Sequence, residues 1–254
     1  MPPRGVRWAT TKDVGKIDAE ERGEYMLADR TIRRDGPPSV CRRILLALRK
    51  IRAKKYRKTL NEEIREQLKE VGPFTIFSNN CIGGVFYSDA GTQFTSPLIN
   101  TAMDGDDFLK FLSNPRYYLD HEMEFFVWEG RDFPIARIDD IEVNFVHYKT
   151  PEECVKKWKE RAERIVWDNI FIVATNHDGM CHEDCMERFN SLPYQNKIMF
   201  VSKEYPQYDW AIPIRQFRNR FQCRVTVAFA DMKGHRYYET AYDIAKWIRD
   251  NSMK

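Results

Sequence analysis

The stretch PFTIFSNNCIGG, residues 73–84, decides the fold class. Its first half, PFTIFS, is a short run of apolar, aromatic and β-branched residues, the pattern of a strand that is buried on both faces. Its second half places two amides and a thiol before a pair of glycines, which allow a close backbone approach and a tight turn. A buried strand that ends in such a turn is typical of an α/β sheet.

Strands and helices alternate over the rest of the chain. Two further buried strands are predicted at DNIFIVAT (168–175) and NKIMFVS (196–202), with helices at about 184–190 and 239–250. This order predicts an α/β fold with a mainly parallel sheet and helices on both faces. In such folds the ligands bind beyond the carboxyl ends of the strands.

Two more helices are indicated between these strands. One is predicted to begin near Asp104 or Asp106, where acidic residues suit the positive end of the helix dipole, and to be interrupted or ended at Pro115. The other runs from Pro151 to about Arg164, because the preceding TPEE pattern supplies an N-cap threonine, a proline at N1 and a glutamate at N3.

Two β-rich runs lie between those helices. They are MEFFVW at 123–128 and IEVNFVHY at 141–148, and the segment between them, FPIARIDD, predicts a bend and a strand edge because of Pro134 and its acidic pair. Alternation in the second run sends Ile141, Val143 and Phe145 to one face.

Composition limits the class of protein. With 254 residues and 43% hydrophobic residues the chain can bury one large core. Its 41 basic and 38 acidic residues give a net charge of +3, which predicts no nucleic-acid partner. The six cysteines indicate reduced thiols in the cytoplasm, and no apolar stretch approaches the roughly 20 residues of a membrane-spanning helix.

The N-terminal part of the chain differs in residue pattern from the rest. Residues 1–38 are predicted to be a flexible tail, 39–70 a basic helical extension, and 71–254 the α/β domain. From Arg42 to Lys58 the apolar residues recur at helical spacing among basic ones. This helix suits peripheral contact with an anionic membrane or with an acidic partner. Alternatively it is a solvated helix whose charge is neutralised by a second helix, which begins at Thr59 with Glu62 in a capping box.

The turn SNNCIGG is the first candidate site, as it follows a strand of the predicted sheet. Substrate contact is predicted for the polar and glycine positions Ser78, Asn79, Asn80, Gly83 and Gly84. The glycines let the backbone approach a ligand, and N–H groups at the start of a following helix bind a phosphate, carboxylate or oxyanion. Cys81 is either a nucleophile whose thiolate those groups favour, or a small buried residue that packs the turn.

Asp139, Asp140 and His147 form the second candidate site. A histidine beside a carboxylate is the usual general base, because the carboxylate fixes the tautomer and stabilises the imidazolium. The alternatives are a structural histidine at a strand end and two aspartates that turn the chain.

Two weaker signals follow in the second half of the chain. His177, Cys181, His182 and Cys185 lie close in sequence, but their spacing matches no common zinc motif, so no metal site is predicted. On the helix after Pro151 most charges should face water, while Arg161 is a candidate for binding an anionic substrate through its guanidinium.

Four segments together resemble a bacterial family of exopolysaccharide biosynthesis proteins, also described as domain of unknown function 1919. They are FTIFSNNCIGG (74–84), FPIARIDDIEVNFVHY (133–148), CVKKWKERAERIVWDNIFIV (154–173) and FNSLPYQNKIMF (189–200). The resemblance covers about residues 72–250. It implies a cytoplasmic role in capsule or exopolysaccharide synthesis, with acyl-coenzyme A or a nucleotide sugar as donor and a sugar or polysaccharide precursor as acceptor.

Three functions are compatible with these observations. The first is a transferase, most plausibly of acyl groups, with His147 as base and Cys81 either covalent or structural. The second is a glycosyl- or phosphosugar-transferase in which Asp139 and Asp140 hold a divalent ion. The third is a non-catalytic saccharide- or nucleotide-binding module of an export complex, held at the inner face of the membrane by Arg42–Lys58.

Overall fold

A computed structural model describes residues 8–9, 40–126, 131–177, 179–224 and 226–252. The tail predicted for residues 1–38 therefore lies outside the described residues, except for a two-residue strand. Residues 127–128 of the predicted strand MEFFVW also lie outside them.

The elements follow one another as alternating helices and strands. In chain order they are β1 (Trp8–Ala9), α1 (Val40–Gln67), β2 (Thr75–Phe77), α2 (Ile82–Ala90), α3 (Gly105–Ser113), α4 (Pro115–Asp120), β3 (Glu124–Phe126), β4 (Ile135–Ile138), β5 (Ile141–Asn144), α5 (Pro151–Ala162), β6 (Ile170–Thr175), α6 (Glu183–Ser191), β7 (Lys197–Val201), β8 (Ala211–Pro213) and α7 (Ile244–Asn251). Short 3₁₀ turns lie at Arg215–Phe217 and Tyr238–Thr240.

The main sheet has four parallel strands in the order β2-β6-β7-β8. Its side chains alternate between two apolar cores. Ile172 and Ala174 face a core shared with α3, α5, α6 and the second sheet, whereas Phe171 and Val173 face a core shared with α2, α7 and the end of α1. Burial on both faces explains the near-continuous apolar runs of these strands. The predicted α/β architecture, with a mainly parallel sheet and helices on both faces, is confirmed.

A second, smaller sheet has the order β1-β3-β4-β5. Strands β3, β4 and β5 are antiparallel, and β1 pairs in parallel with β3. Strand β4 lies inside FPIARIDD, so the predicted bend is wrong for residues 135–138. Pro134 stands just before the first paired residue and removes no ladder hydrogen bond. At the acidic pair the predicted bend is confirmed, because Asp139 and Asp140 form a two-residue hairpin turn, with Asp139 at a φ of 54°.

Helix starts follow their predicted caps. Asp104 Oδ1 accepts a hydrogen bond from the Asp106 N–H at 3.0 Å, and Thr150 Oγ1 accepts one from the Glu153 N–H at 3.3 Å. Pro115 ends α3 and begins α4. These contacts satisfy backbone N–H groups that a helix start leaves unpaired.

Helix α1 is continuous from Val40 to Gln67, so the prediction of two helices is wrong. No glycine or proline interrupts this stretch, and Thr59 lies within the helix rather than at a cap. The second half packs on the domain, where Ala53 is fully buried. Gly234, with a φ of 88°, makes this approach possible, because a Cβ there would lie 2.7 Å from the Ala53 carbonyl oxygen.

A buried ion network fastens α1 to the domain. Arg57 Nη2 lies 2.5 Å from Asp89 Oδ2 and 2.6 Å from Glu239 Oε1, and Arg236 Nη2 lies 3.1 Å from the same Asp89 oxygen. Asp89 therefore balances two guanidinium groups that have little access to water. None of the helices within the described ranges is long and apolar enough to cross a membrane.

Removing the charge of Asp89 should destabilise the fold. We expect Asp89→Asn to lower the free energy of unfolding by about 3 kcal/mol, because a buried cation then loses its counter-charge. Urea denaturation measures this. The matched control is Glu62→Gln, whose carboxylate lies 3.8 Å from Lys58 on the exposed side of α1 and should leave the midpoint unchanged. Equal effects of the two substitutions would contradict a fastening role for Asp89.

Candidate active site

Asn79 joins the carboxyl ends of two neighbouring strands. Its Nδ2 donates to the Thr175 carbonyl oxygen at 3.1 Å, and its Oδ1 accepts from the Thr175 N–H at 3.1 Å. The side chain is buried, so these bonds lie away from water. The end of β2 is thereby fixed beside the end of β6.

Asn80 links the adjoining ends of β2 and β6 to the start of α2. Its Nδ2 donates to Thr175 Oγ1 at 2.7 Å, and its Oδ1 accepts from the Ile82 N–H at 3.0 Å, which caps the helix. The amides of Asn79 and Asn80 thus bond to the protein itself. Ligand binding by these amides stays a prediction, and Thr175, which both contact, had no signal in the sequence beyond its place at a strand end.

The two glycines let α2 begin close to its surroundings. A Cβ at Gly83 would lie 3.3 Å from Ser78 Cβ, and one at Gly84 would lie 3.2 Å from Ile99 Cγ2. Within the described residues, the backbone N–H groups of Gly83 and Gly84 have no acceptor. They are first-turn donors of the kind that bind anions. The buried Ser78 hydroxyl packs beneath this turn and has no partner in the described part of the chain.

Cys81 and His147 meet at this turn. Cys81 occupies the N-cap position of α2, and His147 lies in the turn that follows β5, 66 residues later. Cys81 Sγ and His147 Nε2 are 3.6 Å apart, within hydrogen-bonding distance for sulfur. The structure therefore brings together the two side chains that the sequence indicated as nucleophile and base.

Burial decides the resting state of the pair. It raises the pKa of the Cys81 thiol, so that the thiol is protonated at neutral pH and can donate to His147 Nε2. His147 is exposed, which leaves the pair open to a substrate from solution. Loss of this proton would leave a thiolate at the N-cap of α2, where the helix dipole favours negative charge.

Hydrogen bonds on the inner side of the loop that carries His147 hold this loop in place. Tyr148 Oη donates to the Ile99 carbonyl oxygen at 2.8 Å, and Arg161 Nη1 donates to the same oxygen at 3.1 Å and to Tyr148 Oη at 2.5 Å. The Arg161 guanidinium also lies over the Phe94 ring at 5.2 Å. Arg161, predicted as a substrate contact, is buried here and positions the turn of His147 from its inner side.

Comparison with known proteins identifies the family of the chain. Residues 51–249 match the family described as Domain of unknown function (DUF1919). The chain belongs to the DUF1919 family. It is also 32% identical over 195 residues to an uncharacterized protein of Haemophilus influenzae, an alignment that spans 77% of this chain and 93% of the relative. The DUF1919 match includes Cys81 and His147, and it begins within α1, before the half of that helix that packs on the domain.

Asp139 and Asp140 of the DUF1919 domain lie away from this pair. They precede β5, whereas His147 follows it, so the strand separates the two predicted parts of the second candidate site. Asp139 Oδ2 accepts from Tyr117 Oη at 2.7 Å, and Asp140 Oδ1 accepts from Tyr118 Oη at 2.9 Å. The aspartates thus hold the β4–β5 hairpin against α4.

Members of the histidine and cysteine cluster of residues 177–185 in the DUF1919 domain have structural partners. His177 Nε2 accepts from Arg224 Nε at 3.0 Å, and Cys185 is buried beside α3. In the described ranges no three His, Cys, Asp or Glu side chains converge as metal ligands would. The neighbouring Asn176, which the sequence did not indicate, is buried and bonds to the Cys223 N–H at 2.8 Å and to Ser202 Oγ at 3.2 Å.

Alkylation should reveal the protonation state of Cys81. Because burial raises its pKa, the thiolate fraction near pH 7 is smaller than for an ordinary thiol, and the iodoacetamide rate should keep rising beyond the pH at which glutathione levels off. Peptide mass spectrometry would follow residue 81, with glutathione in the same solution as control. A rate that is already constant between about pH 5 and 8 would show a thiolate–imidazolium pair and contradict this assignment.

Proposed function

We propose that this protein is a cysteine-dependent acyl transferase in which Cys81 carries the acyl group and His147 moves the proton. The contact of 3.6 Å between Cys81 Sγ and His147 Nε2 carries the proposal. A nucleophile within hydrogen-bonding distance of a base, beside donors for an oxyanion, is the arrangement that acyl transfer requires.

The first step loads the enzyme. His147 Nε2 takes the Cys81 proton while Sγ attacks the carbonyl carbon of a thioester donor, and the carbonyl oxygen becomes an oxyanion. The N–H groups of Gly83 and Gly84 are the donors nearest in sequence to receive it. The donor carbon–sulfur bond then breaks, His147 returns the proton to the leaving thiol, and Cys81 holds the acyl group as a thioester.

The second step passes the group on. His147 removes the proton of an acceptor hydroxyl, whose oxygen attacks the Cys81 thioester. The bond between Sγ and the acyl carbon breaks, the ester forms, and the imidazolium returns its proton to the Cys81 sulfur. No oxidant or reductant is needed.

The acceptor we propose is a hydroxyl of a sugar or polysaccharide precursor, with acyl-coenzyme A as donor in the cytoplasm. This part rests on the sequence resemblance to exopolysaccharide biosynthesis proteins. Transfer from a nucleotide sugar through Asp139 and Asp140 has less support, because tyrosine hydroxyl groups bond to both carboxylates and β5 separates them from His147.

Acetyl-coenzyme A is the probe for this reaction. We expect a single acetyl group on Cys81 by peptide mass spectrometry, and release of coenzyme A that quickens when a sugar acceptor is added. Cys81→Ala should abolish loading, and His147→Gln should slow it by about 10²–10⁴-fold, the range for loss of a general base. Cys181→Ala and Asp139→Asn are the controls and should load normally.

Two results would overturn the proposal. One is acetyl transfer that continues in Cys81→Ala, which would leave the cysteine a packing role. The other is the absence of any adduct on Cys81 in the folded wild-type protein with acetyl-coenzyme A and with a small activated ester such as p-nitrophenyl acetate, which would remove the covalent route.

A further inference from the structure

Helix α1 carries two apolar stripes on opposite faces. At about 100° per residue, Ile44, Leu48 and Ile51 fall within about 60° of one another around the helix axis. Ala53 and Ile64 fall at about 180° from that stripe. One helix therefore presents two apolar surfaces, whereas a helix packed on a single core needs only one.

The domain covers one of these stripes. Ala53 is fully buried, Arg57 lies in the ion network with Asp89, and Ile64 packs against the core that α2 and α7 share. These side chains fix which side of α1 faces the domain.

The other stripe is uncovered. Ile44, Leu48 and Ile51 are 54%, 53% and 69% exposed, on the side of the helix opposite to the docked one. Basic side chains flank this stripe, with Arg52 on one side and Lys54 on the other, and both are exposed. Between residues 40 and 58 the chain has nine basic residues and no acidic one.

We propose that this stripe binds an anionic membrane surface, with α1 lying in the plane of the interface. Its apolar side chains would enter the headgroup boundary, and the flanking Lys and Arg would reach the lipid phosphates. This is an interaction surface separate from the Cys81 site, and it does not depend on the proposed acyl transfer.

Charge and shape favour lipid over other occupants. A second copy of α1 packed on this stripe would bring the exposed Arg52, Lys54 and Lys55 of both copies close together, which is unfavourable for like charges. A nucleic acid would bind the cations but would leave the three exposed aliphatic side chains without a role. An anionic bilayer accommodates both the charge and the apolar stripe.

Vesicle flotation of the full chain tests the proposal. We expect the wild type to float with phosphatidylcholine vesicles that contain about 30% phosphatidylglycerol, and to bind pure phosphatidylcholine at least tenfold more weakly. Binding should weaken between about 0.1 M and 0.5 M salt, because the flanking charges are screened.

Two variants separate the apolar and the basic contributions. The triple variant Ile44→Gln, Leu48→Gln and Ile51→Gln keeps helix-forming residues and should lose at least tenfold in vesicle affinity. The double variant Lys54→Glu and Lys55→Glu should lose a similar factor, since each basic residue contributes about fivefold near an anionic surface. The matched control, Lys156→Glu with Lys159→Glu on α5, changes net charge equally and should bind as the wild type does.

Three outcomes would overturn this inference. They are absence of wild-type binding to the anionic vesicles, unchanged binding by the triple glutamine variant, and equal loss in the α5 control. A wild type that is dimeric by light scattering, becomes monomeric in the triple variant and ignores vesicles would assign the stripe to a second copy. Failure here leaves the Cys81 chemistry untouched, because the loading assay uses no membrane.

Discussion

Two hydrogen bonds between the Asn79 side chain and the Thr175 backbone hold the end of β2 beside the end of β6. These two bonds fix the geometry at the carboxyl ends of the two strands. Asn80 bonds to the same threonine and caps α2, so the helix that begins at Cys81 has a fixed origin and direction. A buried side chain that satisfies both a backbone donor and a backbone acceptor leaves little freedom for slippage between the strands.

The contact between Cys81 and His147 then depends on packing between two layers. Cys81 belongs to the main sheet through β2, whereas His147 leaves the second sheet at the end of β5. Arg161 of α5 connects these layers, since its guanidinium bonds to Tyr148 beside His147 and to the Ile99 carbonyl, and Ile99 packs at Gly84. A buried cation is tolerated there because a carbonyl oxygen, a hydroxyl and two aromatic rings surround it.

Local signals in the sequence predicted local structure well. The apolar run of β2, the capping threonine of α5 and the strands β6 and β7 depend on residues close in the chain, so their patterns are sufficient. The sequence does not predict that α1 is continuous. The capping-box pattern at Thr59 indicates a new helix start, although no glycine or proline interrupts the stretch. The sequence does not predict strand β4, because Pro134 indicates a bend. In the structure Pro134 stands just before the first paired residue of β4. The contact between Cys81 and His147 spans 66 residues, and only the packing of two sheets brings it about.

The polar residues of the SNNCIGG turn show a second limit of prediction from the sequence. An asparagine pair before a helix start reads equally as ligand donors or as structural caps, because the same amide groups serve both purposes. The structure uses the amides for the scaffold, and within the described residues the N–H groups of Gly83 and Gly84 in the first turn of α2 have no acceptor. That division suits an oxyanion site, since donors in a helix backbone that is fixed by buried bonds need no reorganisation when charge develops. In the proposed reaction the asparagines would thus act through the helix that they hold in place.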